Sequence, residues 1–121
     1  MNTVFQITSD DIKNIVENFY AKVQVDPILG PIFENEMSES WECHLEKMNN
    51  FWATVMLGKI LYHGNPILVH RKIDGLNSEH FEHWLELFKS TLIETLNNDS
   101  KVQAFYQKAN NMSRVLKTIC K

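Results

Sequence analysis

Apolar residues recur every three or four positions along most of this chain, and this spacing constrains the fold more than any other feature. In the first part of the sequence, Ile12, Ile15, Phe19 and Val23 follow one another at helical spacing up to a break at Asp26-Pro27. A two-residue alternation, which would indicate half-buried strands, is not sustained anywhere. Only four glycines and three prolines interrupt the pattern. We therefore predict an all-α fold with four substantial helices and short connecting pieces.

Polar residues mark the expected beginnings of these helices. Thr8, followed by Asp11 three residues later, has the pattern of a capping box for the first helix. Ser38 or Ser40 is expected to cap the second long helix, and Ser100 to cap the last one. Hydroxyl side chains at these positions can accept the hydrogen bonds that the first backbone N–H groups of a helix leave unpaired.

Proline and glycine indicate the shorter pieces between the long helices. Residues 27–33 contain Pro27, Gly30 and Pro31, so we predict a tight helical turn and a bend that brings Phe33 inward. Pro66 is a suitable first-turn residue for a short apolar helix. A long helix then runs through residues 81–96.

Size and charge limit the classes of function that are open to the chain. With 121 residues we expect one domain spanning 1–121, and a net charge of −3 without basic runs argues against a nucleic-acid partner. The apolar stretches are far shorter than the roughly 20 residues of a membrane span. The N-terminus lacks the basic start of a signal peptide. We therefore expect a cytoplasmic protein without a membrane partner.

The two cysteines exclude several kinds of site. Cys43 and Cys120 form neither a CxxC nor a CxxCH motif, which argues against redox dithiols, zinc ribbons and covalent c-type haem attachment. A disulfide between them stays open, although two free thiols are the interpretation that a cytoplasmic protein favours.

His70 is the first candidate for chemistry. It follows the Gly64-Asn65-Pro66 turn and three apolar residues, so we expect it to face the interior from a short helix. A buried histidine satisfied by a backbone carbonyl would be a common outcome. However, Tyr20, His44 and Trp84 also lie on or beside apolar helical faces. Such polar groups in a core form either a satisfied network or the wall of a ligand pocket.

Other catalytic templates find no support in the sequence. It has no GxSxG elbow, no phosphate-binding glycine loop and no HExxH motif. No histidine has a glutamate three residues before it, as a di-iron bundle would require. His80 and His83 could share a metal on one helix face, but solvated positions beside buried Phe81 and Trp84 are the favoured interpretation.

Several short motifs occur in a fixed order between Phe19 and Phe88. They are Phe19-Tyr20, Leu29-Gly30-Pro31-Ile32-Phe33, His44 with Phe51-Trp52, Tyr62-x-Gly64-x-Pro66 followed by His70, and Phe81-x-x-Trp84-Leu85. In this order and at this spacing the chain resembles the truncated haemoglobins of group III, small bacterial globins with a two-over-two helical sandwich around haem. The glycine pairs of the other truncated groups are missing, as in group III. Met48 stands where a branched aliphatic residue is expected.

The resemblance implies a haem b cofactor with defined ligands. His70 would be the proximal iron ligand, and Tyr20, His44 and Trp84 would line the distal side as the residues that act on a bound ligand. The apolar and aromatic wall around the macrocycle is expected to come from Phe19, Phe33, Met48, Phe51, Trp52 and Phe88. Arg71, next to His70, is placed to reach a haem propionate or to lie in solvent.

The expected function follows from that site. A haem protein of this kind would bind dioxygen, nitric oxide or other diatomic ligands. Several distal donors should slow ligand release, which favours nitric oxide oxidation or peroxide chemistry over bulk oxygen transport. The sequence shows no flavin or nicotinamide site, so turnover would need an unidentified reductase; we expect a monomer. The alternatives are a haem-free helical interaction module and a haem-based oxygen store or sensor without turnover.

Overall fold

Helices make up the regular structure of this computed structural model, which describes residues 6–37, 39–73 and 75–119. They are α1 (Ser9–Val25), α2 (Leu29–Glu36), α3 (Trp41–Leu57), α4 (Pro66–Arg71), α5 (Ser78–Thr95) and α6 (Asp99–Ile119). Within these three ranges there is no strand. The all-α prediction is confirmed, and α1, α3, α5 and α6 are the four substantial helices.

Two of the three N-terminal caps that the sequence predicts are present in the structure. Thr8 and Asp11 form the reciprocal capping box at the start of α1, and the Ser40 hydroxyl accepts the Cys43 N–H. The prediction for Ser100 was wrong, because α6 already begins at Asp99 and the Asn98 side chain accepts the Lys101 N–H instead. A capping side chain must precede the helix, so that it can accept from the free N–H groups two or three residues later, and Ser100 lies inside the first turn. Ser38 lies outside the described residues.

The predicted turn at residues 27–33 is a helix, α2, of eight residues. Its start is fixed by the Asp26 carboxylate, whose Oδ1 accepts the N–H groups of Ile28 and Leu29, each at 2.9 Å. Gly30 lies so close to α1 that a Cβ atom there would be 3.0 Å from the Gln24 carbonyl oxygen. Pro31 sits in the first turn, where its missing N–H costs no intrahelical hydrogen bond. The sequence thus holds α2 tightly against the end of α1.

A stack of three aromatic rings connects the helices at the centre of the molecule. Phe88 of α5 lies between Trp52 of α3, at 5.1 Å between ring centroids, and Trp84 of α5, at 5.2 Å. Phe19 of α1 meets the edge of the same phenylalanine at 5.0 Å. Aromatic rings of this kind bury large apolar areas and prefer offset or edge-on contacts. α1 therefore packs on α3 and α5, while α5 pairs with α6.

One predicted buried face is only partly covered. On α3, Trp52 is fully buried, whereas its neighbours on the same apolar stripe, Trp41, Leu45, Met48, Val55 and Met56, are half-buried. A stripe of apolar side chains normally packs against another element. Here part of it borders a cavity. None of the described helices combines the length and apolar character that would let it cross a membrane.

Candidate functional site

A cavity of about 310 Å³ opens beside the aromatic stack. Every helix contributes to its lining. It is bordered by eight of the residues that the sequence predicted for the site: Tyr20, Phe33, His44, Met48, Phe51, Trp52, His70 and Trp84. The tertiary structure thus brings together side chains that are up to 64 positions apart in the chain.

Three predicted cofactor contacts do not border the cavity. Phe19 and Phe88 are each only 1% exposed and lie in the core behind Trp84 and Trp52, whose rings form the cavity wall. Because Trp84 and Phe88 are one helical turn apart on the same face, the larger ring covers the smaller one. Arg71 is exposed at the end of α4.

His70 is held by the first turn of its own short helix. Its Nδ1 lies 2.6 Å from the Pro66 carbonyl oxygen, and the Asn65 side chain caps the helix by accepting the Leu68 N–H. A carbonyl oxygen can only accept, so Nδ1 carries the hydrogen and Nε2 keeps its lone pair. Metal-binding histidines commonly donate their second N–H to a backbone carbonyl in this way. The half-buried ring is therefore fixed in the tautomer that a metal requires.

The His44 ring, which borders the cavity, packs against three other aromatic rings from α1, α2 and α3. The His44 ring lies edge-on to Tyr20 at 4.9 Å, to Phe33 at 5.5 Å and to Trp41 at 5.7 Å between centroids. The Tyr20 side chain is buried, and burial raises the pKa of its hydroxyl above the ordinary value. Tyr20 therefore stays protonated at physiological pH and keeps a hydrogen to donate.

His44 carries an unusual orphaned atom. Its Nε2 is buried and has no hydrogen-bond partner among the described residues, while its Nδ1 lies 3.5 Å from the Glu39 carboxylate. Burial lowers the pKa of His44, and the opposing effect of the Glu39 charge does not reverse that shift. The ring is thus neutral near pH 7, with the hydrogen favoured on Nδ1 because a carboxylate only accepts. A buried polar atom without a partner indicates a place that a ligand completes.

Trp84 borders the same cavity as Tyr20, and Phe19 connects the two. The Phe19 ring lies edge-on to Tyr20 at 4.9 Å and to Trp84 at 5.7 Å between centroids. This contact holds the two residues on one wall, although they belong to α1 and α5. The sequence placed both on apolar faces, and the packing makes those faces converge.

His80 and His83 each use one ring nitrogen for a hydrogen bond within the chain. The Nε2 of His83 lies 2.8 Å from the Asp26 carboxylate, and the Nδ1 of His80 accepts the Asn77 N–H at the start of α5. Both side chains are half-buried, so the interpretation as solvated positions was incomplete. In the described ranges, no three His, Cys, Asp or Glu side chains are grouped so that they could hold a metal ion.

The cavity also contains residues that sequence reasoning did not assign to it. Tyr62 meets the edge of Phe51 at 5.1 Å, and its loop is held by the Thr54 hydroxyl, which accepts the N–H groups of Leu61 and Tyr62. Ser113 of α6 is 1% exposed, and its Oγ has no partner in the part of the chain that is described. A serine one turn after Ala109 on an apolar helical stripe was the signal that could have identified it.

The exposed Cys43 lies on α3. Cys120 is outside the described residues, so the pairing of the two cysteines remains a prediction.

Comparison with known proteins gives consistent matches. Residues 6–118 match a protein-family model described as Bacterial-like globin. The Group 3 truncated hemoglobin ctb of Campylobacter jejuni is 39% identical over 98 residues, covering 78% of this chain and 77% of that protein. The Group 2 truncated hemoglobin YjbI of Bacillus subtilis is 28% identical over 85 residues, covering 67% and 61%. The crystal structure of group III truncated hemoglobin from Campylobacter jejuni superposes with a TM-score of 0.90 at 32% identity, covering 99% of this chain and 96% of that one.

Proposed function

This chain belongs to the bacterial-like globin family, and from that premise we propose that it binds haem b through His70 and uses it for redox chemistry on diatomic ligands. The resemblance to group III truncated haemoglobins is confirmed by the identity and by the structural match, and with it the truncated-globin fold. Globins bind diatomic ligands at haem iron, so the family supports this coarser activity directly. The proposal includes a monomeric, cytoplasmic protein that acts as a single domain.

The residues of the cavity fit a haem group. Phe33, Phe51 and Trp52 supply flat and apolar side chains, which a porphyrin ring requires around it. Two of the residues that border the cavity, His44 and Ser113, also carry buried polar atoms, Nε2 and Oγ, that have no partner among the described residues. Without a partner, each of these buried polar atoms would lower the stability of the folded protein by about 1–3 kcal/mol. A bound group, or the ligand and water that accompany it, gives them something to bind.

The observation that carries the proposal is the tautomer of His70. The Pro66 carbonyl occupies Nδ1 and leaves the Nε2 lone pair, on a side chain that borders the cavity. Among the other histidines that border this cavity, His80 accepts at Nδ1 and so carries its hydrogen on Nε2. The His44 ring packs edge-on among Tyr20, Phe33 and Trp41. His70 is therefore the residue that we assign to the haem iron.

Tyr20 and Trp84 are proposed to hold the bound diatomic ligand. When haem is present it supplies an iron that binds dioxygen, nitric oxide or carbon monoxide. The Tyr20 hydroxyl and the Trp84 indole N–H are donors at the cavity wall, and a hydrogen bond to a charged or partly charged group contributes about 1.5–3 kcal/mol. Two such donors slow the release of a polar ligand, and slow release suits a reaction better than transport.

Nitric oxide oxidation is the reaction that we favour. Nitric oxide, dioxygen and one electron give nitrate, so each turnover needs one electron from outside the chain. Dioxygen would be held by Tyr20 and Trp84, and nitric oxide is small enough to enter the same cavity. The chain itself only binds, orients and encloses dioxygen and nitric oxide. The electron comes from a separate reductase.

Peroxide chemistry is a second candidate, favoured by His44. A neutral ring with hydrogen on Nδ1 presents a lone pair on Nε2, and that atom is buried and unpaired. It can accept the proton of a hydroperoxide, whereas it cannot donate to dioxygen in this form. Reduction of hydrogen peroxide to two waters consumes two electrons and two protons, again from outside.

Two measurements test the proposal against its alternatives. The purified protein, after addition of haem and removal of unbound haem by gel filtration, should show a Soret band, and the absence of that band would favour the haem-free interaction module. Nitric oxide consumption is then followed with and without a supplied reductant. Multiple turnovers that require the reductant support the enzyme, whereas a single stoichiometric burst in both cases supports the store or sensor.

A further inference from the structure

Residues 59–72, which we name the basic segment, differ in charge from the rest of the chain. They contain Lys59, Arg71 and Lys72 and no carboxylate; the nearest acidic residues in the sequence are Glu46 and Asp74. The three cations are exposed. The remainder of the chain has nine lysines and arginines against fifteen acidic residues. A segment that carries only positive charge in an otherwise acidic protein can attract negatively charged partners to it.

The same segment exposes apolar side chains. Ile60 is 82% exposed, and Leu61, Leu68 and Val69 are each about half-exposed. These four are half of the eight large hydrophobic residues that are exposed in the described part of the chain. Single exposed hydrophobics are ordinary, but four of them within a segment of fourteen residues that carries positive charge have the composition of an interaction surface.

The basic segment is also an outer wall of the cavity. Its residues Tyr62, Pro66, Val69 and His70 border the cavity. The surface is already folded, because Thr54 holds the loop at Leu61 and Tyr62 and Asn65 caps α4. A partner on this face would lie directly outside the residue that we assign to the iron.

We propose that the basic segment docks an acidic one-electron carrier protein, which reduces the group bound in the cavity. This inference rests on the proposed function, because it needs a reducible iron there. One electron leaves the reduced carrier and converts ferric to ferrous iron, with no bond made or broken and no proton required. Charge complementarity speeds encounter more than it adds affinity, and small interfaces are typical of electron-transfer pairs.

Other negatively charged partners fit the segment less well. Anionic membranes are recognised by clusters of about 4–8 basic residues or by long amphipathic helices. The basic segment has three cations, and α4 has six residues. Nucleic acid would bring its phosphates against the acidic remainder of the chain. An acidic protein can bind to the basic segment alone, because its own negative charges can be confined to the surface that docks there.

The test measures electron transfer from a carrier of known charge. The haem-loaded ferric protein is mixed with a reduced, acidic plant-type [2Fe–2S] ferredoxin, and the appearance of the ferrous spectrum gives a second-order rate. The Lys59→Glu/Lys72→Glu variant is compared with Lys13→Glu/Lys108→Glu, which changes two exposed lysines outside the segment by the same charge. Dithionite, a small reductant that needs no docking surface, serves as the reference for both.

We expect the ferredoxin rate to fall steeply with added salt and to drop by about tenfold or more at low salt in the segment variant. The control variant should stay within about twofold of the original protein, and dithionite reduction should be the same in all three. A ferredoxin rate that is independent of salt and equal in both variants would overturn the docking proposal.

A binding measurement separates this inference from the proposed function. Titration of oxidised ferredoxin into the isotope-labelled protein as purified should shift backbone amide signals of residues 59–72 first, whether or not haem is bound. Shifts that map elsewhere, or binding to vesicles of anionic phospholipid with no response to ferredoxin, would overturn the proposal. Failure to take up haem would instead contradict the proposed function alone.

Discussion

The Nδ1 atom of His70 lies 2.6 Å from the carbonyl oxygen of Pro66, four residues earlier in the same helix. Because the Pro66 nitrogen has no hydrogen and the Asn65 side chain closes the first turn, the start of α4 is fixed by local chemistry. The imidazole is thereby held in one tautomer and one orientation. This relationship is the basis of the assignment of His70 to the iron.

Replacement of His70 should remove the haem. His70→Ala and His70→Leu each delete the Nε2 lone pair, so we expect the haem content of the purified protein to fall severely. The thermal stability of protein prepared with haem should fall as well, since haem binds only the folded form. Pyridine haemochrome content and the ferrous absorption spectrum measure the effect. His63→Ala, at an exposed position outside the cavity, is the control. Unchanged stoichiometry in the His70 variants would exclude this ligand.

Removal of a distal donor should speed the release of dioxygen. Tyr20→Phe and Trp84→Phe each delete one hydrogen-bond donor while keeping an aromatic ring at the cavity wall. We expect the dissociation rate of dioxygen from the haem-loaded protein to rise roughly ten- to a hundredfold in each variant, as a loss of about 1.5–3 kcal/mol implies. Stopped-flow displacement measures that rate.

Carbon monoxide provides the control for these two variants. Its bound form is much less polar, so its dissociation rate should change far less than that of dioxygen. The double variant is expected to be non-additive, because both donors act on one ligand. Dioxygen dissociation rates within threefold of the original protein in both single variants would exclude a distal role for Tyr20 and Trp84.

His44 should affect the entry of diatomic ligands into the cavity more than their release. The neutral ring presents a lone pair and not a hydrogen on its buried Nε2, and it packs edge-on between Tyr20 and Phe33. We therefore expect His44→Leu to change the association rate of carbon monoxide and dioxygen by more than about threefold, and their dissociation rates less. Flash photolysis and stopped flow measure the two rates. A larger change in dissociation would identify His44 as a donor, contrary to this prediction.

Asp26 should stabilise the fold in a pH-dependent way. Burial alone would raise the pKa of this carboxylate, but hydrogen bonds from the Leu29 N–H, the His83 ring and the Ile28 N–H outweigh it and lower the pKa below the ordinary 3.8. The stabilisation is thus complete above that ordinary value and is lost as the pH falls through the lower folded-state pKa. Asp26→Asn keeps an oxygen acceptor but removes the negative charge. We expect it to lower the free energy of unfolding at pH 7 by about 1 kcal/mol, roughly the difference between a hydrogen bond to a charged group and one to a neutral group.

Urea unfolding at several pH values checks the Asp26 prediction. The difference between the original protein and Asp26→Asn should shrink as the pH falls below the ordinary carboxylate value of 3.8, where the unfolded state becomes protonated, and through the lower folded-state pKa of Asp26. Glu17→Gln, an exposed carboxylate on α1, should show little effect at any pH. A difference that is constant from pH 7 to pH 3 would show that the charge of Asp26 does not contribute.

Local patterns in the sequence determined the helices and part of the site. The spacing of apolar residues located α1, α3, α5 and α6, because the recurrence of buried residues every three or four positions is a property of each helix by itself. Thr8, Ser40 and Pro66 marked three helix starts, since a cap acts over three or four residues. The ordered motifs from Phe19 to Phe88 identified the family. Eight of the predicted site residues border one cavity for the same reason: they are large side chains on the inward faces of their helices.

Only the tertiary structure decided which inward side chains reach the cavity. Phe88 was predicted there and instead lies between Trp52 and Trp84, whereas Ser113 was overlooked and borders it. The hydrogen bond between Asp26 and His83 joins residues 57 positions apart, and no local pattern contains it. The spacing of apolar residues predicts which face of a helix points to the core. What each side chain contacts also depends on the rotation of the helix about its axis and on the aromatic rings of the neighbouring helices. The orphaned Nε2 of His44 arises in the same way, from packing between three helices that the sequence describes only one at a time.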